Sequence, residues 1–136
     1  MPNLTITDVK QITKVTPISL ILGETCVAFD IVQQIGSKYE LCVATDAAKG
    51  KPSHILLQGG DDLDLAVALP LANGISYTLT GPTLVVAKQY VLSATPGKIT
   101  DREDLTVGQL LSDILKGSTA AIADIQVDET GIAEPA

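Results

Sequence analysis

Apolar and polar residues alternate with a period of two along several stretches of the chain, the pattern of strands that lay one face on a core and the other in water. Leu63, Leu65, Val67 and Leu69 alternate with Asp62, Asp64, Ala66 and Ala68, which assigns the four large residues to the buried face of a half-buried strand. Ile75, Tyr77 and Leu79 alternate with Ser76, Thr78 and Thr80 in the same way. Val27, Phe29 and Ile31 form a third such face and Tyr39, Leu41 and Val43 a fourth. Between these two, Ile35-Gly36-Ser37-Lys38 has the composition of a tight turn, so the flanking runs are predicted to pair antiparallel. Leu84 to Ser93 reads as a longer strand with Leu84, Val86, Tyr90 and Leu92 on one side, leaving through a Pro-Gly turn at Thr95-Pro96-Gly97-Lys98.

Turn residues recur at short intervals, at Gly23, Gly36, Gly50, Gly59-Gly60, Asn73-Gly74, Gly81-Pro82, Pro96-Gly97 and Gly117. Many short strands joined by tight turns predict an all-β fold, a compact antiparallel sandwich or barrel of jelly-roll-like character. One segment conflicts with that reading. Thr106 and Gln109 have the spacing of a capping box, and Leu110, Leu111, Ile114 and Leu115 make a helical stripe, so a short helix near 107–115 competes with a strand. The length fits one domain. Residues 13–128 form it, preceded by an N-terminal arm or edge strand at 1–12, with its candidate strand at Leu4 to Thr7. An acidic tail at 129–136, poor in large apolar groups, is expected to fray.

Composition narrows what such a domain does. Hydrophobic residues make up 46% of the chain and aromatics only 3%, so the core is built from aliphatic side chains. A net charge of −7 with nine Lys and Arg argues against nucleic acid as a partner, which demands dense positive charge. No run has the length of a membrane span and Met1 to Thr5 lacks the features of a signal peptide, so a soluble protein made in a cytosol is expected. Cys26 and Cys42 lie in strand-like runs, read as small core residues rather than a disulfide, and their spacing matches no zinc pattern.

Candidate chemistry is sparse. His54, the single histidine, stands beside Pro52-Ser53 without the local signature of a nucleophilic triad, and reads as a loop side chain. Asp61, Asp62 and Asp64 gather three carboxylates after Gly59-Gly60, which raises a hard cation as a ligand. Their spacing is not that of an EF-hand, and a solvated, charged strand entrance is the plainer account of them. Gly59-Gly60 and Gly81-Pro82 lack the context of a phosphate loop. Tyr39, Tyr77 and Tyr90 fall on apolar faces, as core residues rather than a sugar platform. No catalytic, cofactor-binding or metal-ligating residue is assigned.

The segment Gly81 to Ile99, with Thr83-Leu84-Val85-Val86, Tyr90-Val91-Leu92-Ser93 and then Pro96-Gly97, resembles one that recurs in small virion proteins of tailed phages, although Ala87 stands where that pattern has Gly. Gly23 and Val27, Gly36-Ser37-Lys38-Tyr39-Glu40-Leu41 with Ala44, and Thr130-Gly131-Ile132-Ala133 follow in the same order, so the resemblance spans most of the chain from Gly23 onward. It is a resemblance to the capsid cement, or decoration, proteins. It implies an all-β cement fold, no catalytic residues, a strand rather than a helix at 106–115, and a homo-oligomer, trimeric or dimeric, on the outer capsid surface of the virion. The partner it implies is the major capsid protein, whose subunit contacts it would stabilise. A receptor- or carbohydrate-binding module of a tail fibre is the alternative.

Overall fold

The computed structural model describes residues 3–105 and 109–133, with backbone alone at 47 and 129–133. Among the described residues the chain forms eleven strands: β1 (Asp8–Gln11), β2 (Ile18–Ile21), β3 (Ile31–Ile35), β4 (Lys38–Leu41), β5 (His54–Leu56), β6 (Leu65–Pro70), β7 (Ser76–Thr80), β8 (Gln89–Leu92), β9 (Ile99–Asp101), β10 (Leu110–Gly117) and β11 (Ile122–Ala133). Single 3-10 turns at Ala47–Lys49 and Arg102–Asp104 are the helical elements described. Two antiparallel sheets result, of order β1-β7-β11-β10-β8-β9 and β2-β6-β5-β3-β4, in a sandwich-like arrangement rather than a closed barrel.

Turn chemistry sets the local pairings. Gly36 takes φ +65°, and β3 and β4 pair antiparallel across it as the Gly-Ser turn predicts. Pro96 precedes Gly97 at φ +77°, the geometry of a type II turn, and Lys98 N donates to Thr95 O at 3.2 Å; β8 and β9 pair on either side. β7 buries Tyr77 and Leu79 and leaves Ser76 and Thr78 partly exposed, as its alternation predicts.

Three expectations are corrected. The helix near 107–115 is replaced, from Leu110 onward, by β10, which lies between β11 and β8; Thr106, its proposed cap, falls outside the described residues. Register shifts between Leu110 and Ser112 and between Asp113 and Leu115 explain the misleading pattern. A bulge inserts a residue and resets the phase of the alternation, so the sequence neighbours Ile114 and Leu115 are both buried. The long strand from Leu84 shrinks to Gln89–Leu92, because the chain turns at Val85–Lys88 with Ala87 at φ +68°; Val86 is exposed while Leu84 and Tyr90 are buried. The tail boundary also moves: residues 129–133 belong to β11, with Glu129 opposite Ser112 and Ala133 opposite Leu110.

The N-terminal segment is built into the body. Leu4 N donates to Ile99 O at 2.8 Å, beside one edge of the larger sheet, and Thr7 N donates to Thr80 O at 2.8 Å, beside the other. β1 then pairs with β7, and Leu4 and Ile6 pack on the main core. Gly81 permits this strap to pass: at φ +112°, a Cβ there would stand 2.2 Å from Thr5 O.

The smaller sheet buries residues on both faces. Ile31, Ile55 and Leu69 join the core shared with Tyr77, Tyr90, Leu92, Ile114 and Ile125 of the larger sheet. Leu20, Val32, Leu56, Ala66 and Ala68 point the other way and form a second cluster with Leu22 and Cys26. The sheet curls around that cluster until its edges meet, through a parallel bridge of Leu22 with Tyr39 and a 2.7 Å bond from Gly23 N to Tyr39 O. Ala66 and Ala68 lie on the inside of the curl, where small side chains allow the strands to approach the cluster closely.

Candidate functional site

The residues singled out by sequence do not converge. His54 belongs to β5 rather than to a loop; its Nδ1 lies 2.9 Å from Ser53 Oγ, and its ring meets Tyr39 edge-on with centroids 5.5 Å apart. Burial lowers its pKa, favouring a neutral ring. Cys26 and Cys42 are buried thiols, not joined in a disulfide, in different clusters, Cys26 inside the curl and Cys42 in the main core. Burial first, with nearby Asp30, Glu24 and Glu40, pushes the Cys26 thiol up to about 12, which suppresses thiolate chemistry.

Asp61, Asp62 and Asp64 shape a turn before β6. Asp64 Oδ2 accepts from Asp61 N at 2.8 Å, Asp61 Oδ1 accepts from Thr25 Oγ1 at 3.3 Å, and Asp62 Oδ1 lies 3.6 Å from Lys38 Nζ. The three carboxylates are thus directed to three different partners. Among the described residues no three His, Cys, Asp or Glu side chains are grouped to hold a metal ion. Tyr77 and Tyr90 are buried, with Tyr77 Oη donating to Pro70 O at 2.6 Å and Tyr90 Oη accepting from Val85 N at 2.9 Å; Tyr39 packs on the second cluster. No helix of the described residues is long and apolar enough to cross a membrane.

An open cleft of about 740 Å³ runs along β7 and β11, lined by polar groups that include Ser76, Gln89, Asp124 and Gln126. Ser76 Oγ donates to Asp124 Oδ1 at 2.6 Å, so part of that lining is already engaged within the fold.

Two acid–base pairs stiffen the loops around the core. Asp30 is buried, accepting from Lys98 Nζ at 2.7 Å and from Val27 N at 2.9 Å, and it holds the turn in which Phe29 takes φ +69°. Asp101, also buried, pairs with Lys88 and accepts from Glu103 N at 3.0 Å. Burial by itself raises the Asp101 pKa, but the Lys88 hydrogen bond, the Glu103 amide and the Lys88 charge outweigh it and hold the carboxyl below its usual range.

The chief departure from sequence expectation lies at the start of β6 and the turn before it, where the predicted core face opens to solvent while Leu69 further along is buried as expected. Ala66 and Ala68 are buried, whereas Leu65 is 66% exposed. Leu63 lies in the turn rather than on the strand and is 65% exposed. Leu65 stands opposite Ile21 of β2, itself 41% exposed, on the outer face of the curl. These residues were missed as surface groups because alternation shows which side chains share a face, not which face is covered. The signal available was the pairing of two alanines with four large residues, since small residues suit the inside of a curl. A second exposed apolar pair, Val85 and Val86, sits at the turn before β8. In comparison with known proteins, no family model, no curated protein and no solved structure matches the chain.

Proposed function

We propose that this protein is a non-catalytic structural component of a virion, a cement protein that binds the outer capsid surface and stabilises contacts between major capsid protein subunits. The observation that carries the reading is a β body tied at its own edges that nevertheless presents large aliphatic side chains to solvent, at Ile21, Leu63 and Leu65. Cementing requires that combination. A stiff body loses little conformational freedom on docking, so more of its contact energy appears as binding. Many copies arranged by the shell's symmetry then multiply a modest affinity. The protein is made in the host cytoplasm, acts as a homo-oligomer, a trimer or a dimer, and uses no cofactor.

The polar cleft on β7 and β11 favours a second reading, a receptor- or carbohydrate-binding module of a tail fibre. Its lining contains no aromatic side chain, and Tyr77 and Tyr90 are buried in the core, so the platform on which sugars commonly stack is missing from this cleft.

Mixing purified protein with undecorated shells of the virus that encodes it tests the first reading. Saturable occupancy at symmetric positions, with a raised shell melting temperature, is expected. A lack of binding to shells, with binding to cell-surface glycans instead, would favour the fibre module.

A further inference from the structure

Which surface meets the shell follows from the outer face of β2 and β6. Ile21 and Leu65 are direct cross-strand partners there, and Leu63 projects from the adjoining turn. Leu63 takes φ +73°, a left-handed conformation that glycine or asparagine adopts easily and a bulky residue does not. The conformation is fixed on both sides: Leu63 N donates to Leu22 O at 2.8 Å, Asp64 N to Asp61 O at 3.0 Å, and Asp61 N to Asp64 Oδ2 at 2.8 Å. The fold therefore holds a strained leucine whose side chain remains largely in water, where it contributes little to the folded state.

The border of this apolar group identifies its partner. Asp61, Asp62 and Asp64 are all exposed, and Lys38 pairs with Asp62. Two copies meeting through this surface would bring six carboxylates together, which opposes self-association here. An apolar centre within an acidic border matches an apolar depression edged by Lys or Arg.

We propose that Ile21, Leu63 and Leu65 are the anchor by which the protein seats on the shell, entering an apolar depression of the major capsid protein bordered by basic side chains, with Asp61, Asp62 and Asp64 facing that border. This rests on the cement reading. The backbone that carries Leu63 is held in its turn before contact, so the cost of ordering that backbone is met during folding rather than on binding.

The test measures binding of four proteins to undecorated shells at two salt concentrations: wild type, Leu65→Glu, Asp62→Lys, and Val86→Glu as an exposed control outside the anchor. Thermal melts confirm that each remains folded. Wild type and Val86→Glu are expected to bind alike, Leu65→Glu at least tenfold more weakly, and Asp62→Lys more weakly with a reduced salt dependence. Leu65→Glu binding like wild type would overturn the anchor while leaving the cement reading intact. Failure of folded wild type to bind would overturn the cement reading, and the anchor with it. Sedimentation without shells adds a further outcome: self-association abolished by Leu65→Glu would overturn the assignment in favour of a second copy.

Discussion

Leu65 and Leu69 project from the same face of one strand, four residues apart, yet the first is 66% exposed and the second 1%. The larger sheet covers Leu69 and stops short of Leu65, so position beneath the second layer separates two residues that local sequence makes equivalent. On the opposite face Ala66 and Ala68 are sealed inside the curl of the smaller sheet. One strand thus serves two enclosed clusters and one open surface. The aliphatic side chains on that surface are open to a partner.

Truncating the two leucines breaks the comparison most sharply. Leu69→Ala leaves a cavity between the sheets and is expected to cost about 2–5 kcal/mol, read as a fall in the denaturation midpoint. Leu65→Ala is expected to change stability by less than about 0.5 kcal/mol; equal losses at both sites would remove the distinction. Enlarging the inside of the curl comes next: Ala68→Leu adds volume where the strands enclose the second cluster, and a loss of about 1–3 kcal/mol is expected from overpacking. A neutral result would mean that the curl has room to spare.

The Lys88–Asp101 pair gives a smaller effect with a pH signature. Because the folded-state pKa of Asp101 lies below its ordinary value, the carboxylate adds stability above that value and loses it as pH falls through the folded pKa, below about 4. Lys88→Met removes the main opposing influence and leaves burial to raise the Asp101 pKa. The variant should melt lower at neutral pH, and its acid unfolding should move to higher pH. An unchanged acid midpoint would show that Lys88 does not hold that carboxylate.

Turn chemistry made much of the fold legible. Gly36-Ser37 and Pro96-Gly97 are turns as their composition predicts, although the strand before Gly36 begins only at Ile31, and the alternation around Tyr77 and Leu79 finds the correct face. Bulges hid β10, because an added residue breaks the period on which a strand is recognised. The edge-to-edge strap at Asn3–Thr7 was hidden for a different reason: its hydrogen bonds join Leu4 to Ile99 and Thr7 to Thr80, partners too distant in sequence for any local pattern to reveal. The surface at Leu63 and Leu65 was read as core, since a strand that alternates leucine with alanine and aspartate looks buried on its leucine side unless the curl is known.

Electron cryo-microscopy of decorated shells tests the central claim most directly. The account predicts that the protein's density sits on the outer shell with the β2–β6 face and the turn at residues 61–64 turned toward a basic-edged depression of the capsid subunit. Decorated particles in which Leu63 and Leu65 face solvent, with contact made through another surface, would contradict it.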